Sequence, residues 1–375
     1  MTGSTSPDNS RTLTREDLSL IPSYIPGKTT PGALKLASNE MTQGPLPSVR
    51  DAIVDAASGV NRYPDMAAVD VRATIAGHLG LSTSQVAVGC GSSALCQQLI
   101  QATCADGDEV VFAWRSFEAY PILARVAGAV PVAVPLDDAH RHDLDAMVAK
   151  IGERTRLVFV CNPNNPSGTT ITAAEFEAFM AKVPSDVLVA LDEAYIEFVQ
   201  PAEGDLGAAG RGSGVDTPNA IDATTKYPNV VGLRTFSKVY GLAGLRIGYA
   251  IAPADVVEGM SKVALPFGVT ETAQVAAVAS LDAQEELDER VRAIIAERDR
   301  VVTALREQGW EFPTPYANYF WLPLDERTGQ AAAAFTEQGL STRVFPGEGV
   351  RISVGEPEAN DLVIKVCAEL KAQGL

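Results

Sequence analysis

The stretch TFSKVYGLAGLRIG, residues 235–248, carries a lysine and an arginine on either side of a glycine-containing turn. It follows the β-rich run VVGL, residues 230–233, so Lys238 is predicted to lie where a strand ends, at the usual ligand-binding edge of an open α/β sheet. The neighbouring residues are largely apolar, and burial lowers the pKa of a lysine and makes its neutral amine a nucleophile. The stretch therefore predicts a lysine suited to Schiff-base chemistry.

Short β-rich runs separated by helical stretches surround this lysine and indicate an α/β fold with a doubly wound, mostly parallel, seven-stranded sheet. The seven predicted strands are residues 86–88, 109–114, 130–134, 157–160, 188–191, 230–233 and 248–251. From residue 280 the pattern changes to a helix followed by predicted strands at 319–324, 341–344 and 350–354. This part predicts a smaller α/β domain.

The predicted domain division has four parts. Residues 1–17 are expected to form a flexible tail, and 18–45 an N-terminal segment that packs on the small domain and the substrate entrance. Residues 46–275 are assigned to the large domain and 276–375 to the small C-terminal domain. The Gly/Ala/Asp-rich piece 203–218 has no periodicity, so an exposed, mobile loop is expected there.

Composition excludes several classes of function. The 375 residues carry a formal net charge of −17 without a Lys/Arg block, which argues against binding to nucleic acid or to anionic lipid. No apolar run is long enough to span a membrane. The five cysteines lack metal-site spacing and fit reduced thiols in a cytoplasmic protein, and no metal site is predicted. His140 and His142 are predicted to lie in a solvated turn.

Three further motifs follow predicted strands. The run GCGSSA, residues 89–94, opens a helix whose free N–H groups favour an anion, although such a turn alone is more often a simple cap. The run CNPNNPSG, residues 161–168, predicts a rigid turn in which a cis Asn165–Pro166 bond would fit. The run LDEAY, residues 191–195, ends a buried strand with Asp192, a carboxylate that is costly to bury without a partner.

Together and in this order, these motifs resemble the fold-type I pyridoxal phosphate aminotransferases. Within them the chain is most similar to the histidinol-phosphate and aromatic aminotransferase branch, over roughly residue 18 to the C-terminus. The resemblance implies pyridoxal 5'-phosphate as the cofactor and catalytic roles for Lys238, Asp192 and Tyr195. Lys238 would form the aldimine, Asp192 would pair with the pyridine nitrogen, and Tyr195 would donate to the phenolic oxygen.

The other implied cofactor contacts divide into ring and phosphate contacts. Phe117 would stack on the ring, and Asn165 would bind the phenolic oxygen. The implied phosphate ligands are Ser92, Ser93, Thr235, Ser237, Arg246 and Tyr63. Because Tyr63, in the run RYPD at 62–65, matches a residue that reaches the phosphate of the neighbouring subunit, the resemblance implies a homodimer with a shared active site.

The implied substrate contacts leave the amino donor open. Arg351, with Arg343, would bind the carboxylate of an amino acid or the phosphate of histidinol phosphate. Tyr24, Tyr120 and Phe267 would line the side-chain pocket. Phe267 stands where histidinol-phosphate enzymes often carry tyrosine, and the run GCGSSALCQQ, residues 89–98, lacks their usual acidic pair. In these respects the chain looks like the actinobacterial aromatic (phenylalanine) aminotransferases.

The expected activity is therefore ping-pong transfer of an amino group between an aromatic L-amino acid (phenylalanine, tyrosine or tryptophan) and 2-oxoglutarate, both small molecules. A role in amino-acid biosynthesis goes with it. Histidinol-phosphate aminotransfer is the alternative, and a related pyridoxal phosphate lyase or decarboxylase is a more remote one. A non-catalytic protein that keeps this fold is disfavoured by the retention of Lys238, Asp192, Asn165 and Arg246.

Overall fold

The computed structural model, which describes residues 14, 15, 18, 19, 21, 32–200 and 215–375, contains one large and one small sheet. The strands of the large sheet are β2 (Val86–Gly89), β3 (Glu109–Trp114), β4 (Val130–Pro135), β5 (Thr155–Cys161), β6 (Leu188–Asp192), β7 (Val230–Thr235) and β8 (Gly248–Ile251). Their spatial order is β2-β8-β7-β6-β5-β3-β4, and β8 alone is antiparallel to its neighbours. The seven predicted strands and the doubly wound, mostly parallel α/β class are confirmed.

Side chains of the large sheet alternate between two helix-covered faces, as the two-residue period of a strand requires. On β3, Val110 and Phe112 face one core, and Val111 and Ala113 face the other. The first face is covered by α3 (Ser92–Thr103), α4 (Ala119–Val126) and α8 (Ala254–Val263). The second is covered by α5 (Leu144–Val148), α6 (Ala173–Met180) and α7 (Ala220–Lys226). With both faces buried, only the strand ends are left to carry polar side chains.

The small sheet has the order β1-β10-β11-β9. Its strands are β1 (Leu34–Leu36), β9 (Tyr319–Pro323), β10 (Leu340–Phe345) and β11 (Gly349–Ser353), and helices α11 (Thr328–Glu337) and α12 (Pro357–Ala372) share a core with it. β1 pairs parallel with β10, whereas β11 is antiparallel to both of its neighbours, β10 and β9. The N-terminal segment therefore supplies a strand to a sheet formed otherwise by the C-terminal part of the chain.

The boundary predicted between residues 275 and 276 falls inside one continuous helix, α9 (Glu271–Asp282). This helix packs against α1 (Pro47–Ala56) and α2 (Val69–Leu79) of the large domain. The next helix, α10 (Gln284–Glu307), buries Leu287 and Val291 in that same core and Val301 and Leu305 in the core of the small sheet. We infer that the change of domain lies within α10, because its two halves pack on different cores.

Parts of two predictions fall outside the described residues. Nearly all of the predicted 1–17 tail and residues 203–214 of the predicted loop lie there, as does the substrate candidate Tyr24. In the ranges that are described, every helix is too short or too polar to cross a bilayer.

Candidate active site

Lys238 lies just beyond the C-terminal end of β7, as predicted from its sequence position. Its half-buried side chain donates a hydrogen bond from Nζ to the carbonyl oxygen of Ser38 at 3.1 Å. Burial lowers the pKa of Lys238 to about 7, and the positive charge of Arg351 acts in the same direction. A substantial fraction of the amine is therefore neutral near pH 7 and able to act as a nucleophile or a base.

Asp192 ends the neighbouring strand β6 and is 3% exposed. Its Oδ2 accepts a hydrogen bond from the hydroxyl of Tyr120 at 2.6 Å, and its Oδ1 accepts one from the backbone N–H of Ala194 at 3.2 Å. Burial raises the pKa of Asp192, whereas the two hydrogen bonds oppose that shift. Tyr120, on α4, thus supplies the partner that the buried Asp192 carboxylate requires.

Tyr120, predicted to line the side-chain pocket, is completely buried in the structure. Its ring has no exposed surface, stacks on Phe159 at a centroid distance of 4.3 Å, and places its hydroxyl on Asp192. Phe117, the predicted stacking residue, meets the ring of Tyr120 edge-on at 5.4 Å and is itself partly exposed. A fully buried tyrosine cannot line a pocket, so Tyr120 acts here as a hydrogen-bond donor to Asp192.

Hydroxyl, guanidinium and helix N-terminal groups converge at the start of α3. Gly91 caps this helix with φ 77°, and a Cβ at Gly91 would collide with the guanidinium of Arg246. A Cβ at Gly248 would lie 2.8 Å from the backbone nitrogen of Ser92. Arg246 donates to Ser237 Oγ at 3.2 Å, and Ser237 Oγ accepts from Thr235 Oγ1 at 3.0 Å. The glycines leave room for a compact cluster of donors suited to an anion, which also includes Ser93 in the first helical turn.

Asn165 and Tyr195 lie close to the small-sheet arginine Arg351. The bonds Asn162–Pro163 and Asn165–Pro166 are both cis. The side-chain oxygen of Asn165 accepts a hydrogen bond from Nη1 of Arg351, which is 7% exposed. Burial raises the pKa of Tyr195 to about 12, so its hydroxyl keeps its proton at neutral pH.

The segment 37–39, just after β1, contacts three of the predicted site residues in succession. The carbonyl of Ala37 accepts from Nη2 of Arg351, and the carbonyl of Ser38 accepts from Lys238. The Asn39 side chain donates to the hydroxyl of Tyr195 at 3.0 Å, and the Asn39 backbone N–H donates to Ser353 Oγ at 2.9 Å. These contacts were not predicted from the sequence, because a short extended segment does not indicate which distant residues it will contact.

Arg343 and Arg351 are directly opposite each other on β10 and β11, so their side chains share one face of the hairpin. Arg343 donates to the carboxylate of Glu118 at 2.6 Å, and Arg115 forms a second ion pair with Glu348. The guanidinium groups of Arg115 and Arg343 lie 5.3 and 5.6 Å from the centre of the Phe345 ring. Two ion pairs therefore join the hairpin to the residues that flank Phe117.

Tyr63 and Phe267 form a separate, exposed pair. Their ring centroids are 4.7 Å apart, and Tyr63 is 81% exposed while Phe267 is 42% exposed. Within one chain, the structure thus groups these two candidates with each other on the surface, apart from the buried candidates Asp192 and Tyr195.

The prediction of a solvated His140/His142 turn is wrong for His142. This side chain is 7% exposed, and its Nε2 lies 3.2 Å from the side-chain oxygen of Asn164, which also accepts from Ser116 Oγ at 2.8 Å. Burial lowers the pKa of His142 to about 4, so the ring is neutral at physiological pH. His142 thus supports the turn that carries Asn165.

These residues fit pyridoxal phosphate. The donors at the start of α3 suit a phosphate, the Asp192 carboxylate suits a protonated ring nitrogen, and Tyr195 and Asn165 can both donate to a phenolic oxygen. Lys238 supplies an amine of lowered pKa. Among the described residues, no group of three or more His, Cys, Asp or Glu side chains could hold a metal ion.

Comparisons with known proteins agree on one family. Residues 31–366 match the family described as aminotransferase class I and II. The chain is 54% identical to an aromatic amino acid aminotransferase from Rhodococcus jostii, over 96% of this chain and 97% of that protein. It is 53% identical to a protein of the same name from Corynebacterium glutamicum, over 96% of this chain and all of that one.

A solved structure extends the likeness to the fold. The histidinol-phosphate aminotransferase from Sinorhizobium meliloti, in complex with pyridoxal-5'-phosphate, superposes with a TM-score of 0.81 at 29% identity, over 91% of each chain. The strand order, the groups at the strand ends and the match over most of the sequence lead to the same conclusion: this chain belongs to the class I and II aminotransferases.

Proposed function

We propose that this chain is a pyridoxal phosphate-dependent aromatic amino acid aminotransferase that exchanges an amino group between phenylalanine, tyrosine or tryptophan and 2-oxoglutarate. The proposal rests on a sequence identity of at least 50%, over nearly the whole chain, to several proteins named aromatic amino acid aminotransferase. The arrangement of Lys238, Asp192 and Tyr195 at one sheet edge supports the same chemistry. The activity, and the free state of all five cysteines, are consistent with cytoplasmic amino-acid biosynthesis.

Each residue has one task in this reaction. The bound cofactor would supply a ring that accepts electrons from the substrate Cα. Ser92, Ser93, Thr235, Ser237 and Arg246 would hold its phosphate, and Phe117 would pack on its ring. Asp192 would pair with the protonated ring nitrogen, and Tyr195 and Asn165 would bind the phenolic oxygen.

Proton transfer falls to Lys238. Its pKa of about 7 would let the neutral amine accept a proton from the substrate Cα within the working pH range. Arg351 orients the substrate by binding its carboxylate through two parallel N–H donors. Because the donor leaves as a 2-oxo acid before the acceptor binds, the kinetics are ping-pong.

We also propose that the protein is a homodimer in which Tyr63 reaches the phosphate in the partner's site. Large apolar side chains are exposed on two segments of the chain: Val54, Val60, Tyr63, Met66, Val69, Leu265 and Phe267. An exposed apolar cluster of this kind is typical of an interface. Because Phe267 contacts Tyr63, it would enter the partner's substrate pocket together with Tyr63.

The test of substrate class is steady-state kcat/KM for phenylalanine and for histidinol phosphate, each with 2-oxoglutarate. A clear preference for phenylalanine supports the proposal, whereas a clear preference for histidinol phosphate replaces it with histidinol-phosphate aminotransfer. A protein that gains no absorption band on addition of pyridoxal phosphate contradicts both.

The shared site is tested by mixing subunits. Lys238→Ala and Tyr63→Ala homodimers are each expected to be nearly inactive, but a hybrid dimer has one site with both residues intact. Random re-association should therefore restore about a quarter of wild-type activity if Tyr63 serves the partner subunit. No restoration in proven hybrids contradicts that role.

A further inference from the structure

We propose that Glu118 is a specificity-determining residue that restricts the anion subsite to a singly charged carboxylate and disfavours a phosphate. The inference deepens the proposed function and rests on it. Its starting point is the contact between Glu118 Oε2 and Arg343 Nη2 at 2.6 Å, which joins the residue after Phe117 to the substrate-binding hairpin.

Arg343 and Arg351 lie side by side on one face of the hairpin. Arg343 and Arg351 are opposed across β10 and β11, and both reach residues of the large domain, Glu118 and Asn165 respectively. An anion bound by Arg351 therefore has Arg343 as its nearest cross-strand cationic neighbour. In this position Arg343 is already paired with the carboxylate of Glu118.

The charges around the hairpin match a carboxylate better than a phosphate. The guanidinium groups of Arg343 and Arg351, together with the carboxylate of Glu118, carry a net charge of +1, and the Arg115–Glu348 pair adds none. An α-carboxylate brings one negative charge, which this set balances. A phosphate monoester carries a charge of roughly −1.5 to −2 at pH 7, so it would remain partly uncompensated.

Glu118 also opposes a phosphate through direct repulsion. A phosphate that reached Arg343 would lie close to the Glu118 carboxylate and would compete with it for the same guanidinium donors. The side chains of Arg343 and Glu118 are only 16% and 29% exposed, so water and salt screen this repulsion incompletely. Like charges brought together in a binding site commonly weaken binding of the wrong partner.

The neighbouring ion pair provides a matched control. Glu348 lies on the same hairpin but pairs with Arg115, whose guanidinium lies 4.2 Å from the centre of the Trp114 ring. Glu348→Gln removes the same charge as Glu118→Gln without touching the partner of Arg343. The two variants therefore separate a contact effect at Arg343 from a general change in charge.

The experiment measures kcat/KM for phenylalanine and histidinol phosphate with the holoenzyme of wild type, Glu118→Gln and Glu348→Gln. In a ping-pong reaction kcat/KM for the donor does not depend on the acceptor, so the ratio of the two values reports on the donor subsite alone. Glu118→Gln is expected to raise the histidinol phosphate/phenylalanine ratio at least about tenfold, and Glu348→Gln less than about threefold. Inorganic phosphate should become a correspondingly stronger competitive inhibitor of Glu118→Gln.

Three outcomes are distinguishable. A rise in Glu348→Gln equal to that in Glu118→Gln overturns the role of Glu118. Glu118→Ala repeats the test if the glutamine amide keeps the phosphate out by holding Arg343 in place; an unchanged ratio in both variants also overturns it. A wild-type enzyme without activity on phenylalanine would instead overturn the proposed function.

Discussion

The strand ends of the large sheet and the hairpin of the small sheet hold their functional groups in different ways. Lys238 follows β7, and Asp192 is the last residue of the neighbouring strand β6. The backbone hydrogen bonds between the two strands fix the distance between these strand ends. Arg343 and Arg351 are fixed to each other by the hairpin, but their guanidinium groups are positioned by Glu118, Asn165 and the carbonyl of Ala37, all from other parts of the chain.

This difference suggests that the strand ends carry out the reaction and that the hairpin selects the substrate. The groups at the strand ends cannot be moved without disturbing a sheet that is buried on both faces, so a change there should abolish the reaction. The hairpin groups depend on individual side-chain contacts, so a change there should alter which substrate is used. Substitutions in the two regions test that separation.

The largest effect is expected at a strand end. Lys238→Ala should lower kcat at least about a thousandfold, because it removes the amine that moves the proton, while pyridoxal phosphate still binds through its phosphate and ring contacts. Single-turnover kinetics and cofactor absorption measure the two properties separately. The exposed Lys262, which pairs with Glu258, gives a control variant, Lys262→Ala. Near-wild-type transamination by Lys238→Ala would remove this lysine from the mechanism.

A smaller but selective effect is expected at the hairpin. Arg351→Lys keeps the charge but loses the paired donors, so kcat/KM for phenylalanine should fall roughly a hundredfold, mainly through KM. Arg343→Lys, made as the companion variant, should change kcat/KM for phenylalanine far less. Equal losses in the two variants would contradict a primary role of Arg351 in carboxylate binding.

The buried His142 allows the stability of the large-sheet region to be tested through its pH dependence. Its pKa is about 4 in the folded protein against about 6.5 in the unfolded chain, so between these values the unfolded chain binds the proton more readily. The stability that His142 contributes is complete above pH 6.5 and is lost as the pH falls toward 4. Lowering the pH from 7 to 5 should therefore cost the wild type about 2 kcal/mol more of unfolding free energy than it costs His142→Gln.

Urea unfolding at the two pH values measures this difference, with the partly exposed His140 changed in His140→Gln as the control. An identical pH dependence in wild type and His142→Gln would mean that His142 accepts its proton in the folded state as easily as in the unfolded chain.

The smallest effect is expected at the exposed aromatic pair. Phe267→Tyr adds a hydroxyl that can donate to a phosphate, and one such hydrogen bond should raise kcat/KM for histidinol phosphate about fivefold. Activity with phenylalanine should hardly change. An equal rise for both donors would show that position 267 affects packing rather than anion recognition.

Sequence reasoning succeeded where a local pattern has a structural cause. Lys238 and Asp192 each follow an apolar β-rich run, and both lie at strand ends in the structure. It failed where the deciding contact joins residues far apart in the chain. The Glu118 and Glu348 pairs, the hydrogen bond from Tyr120 to Asp192 and the burial of His142 all depend on how remote segments meet, and no spacing in the sequence records that.

The segment 37–39 has a thermodynamic consequence of its own. Two adjacent carbonyls hold the guanidinium of Arg351 and the amine of Lys238, so the two cations share one short piece of backbone. The positive charge of Arg351 helps to lower the pKa of Lys238, so a substrate carboxylate bound to Arg351 would offset that charge and raise the basicity of Lys238. Linkage makes this reciprocal: protonation of the lysine must alter carboxylate affinity by the same factor. Carboxylate binding at Arg351 and protonation of Lys238 are therefore thermodynamically linked.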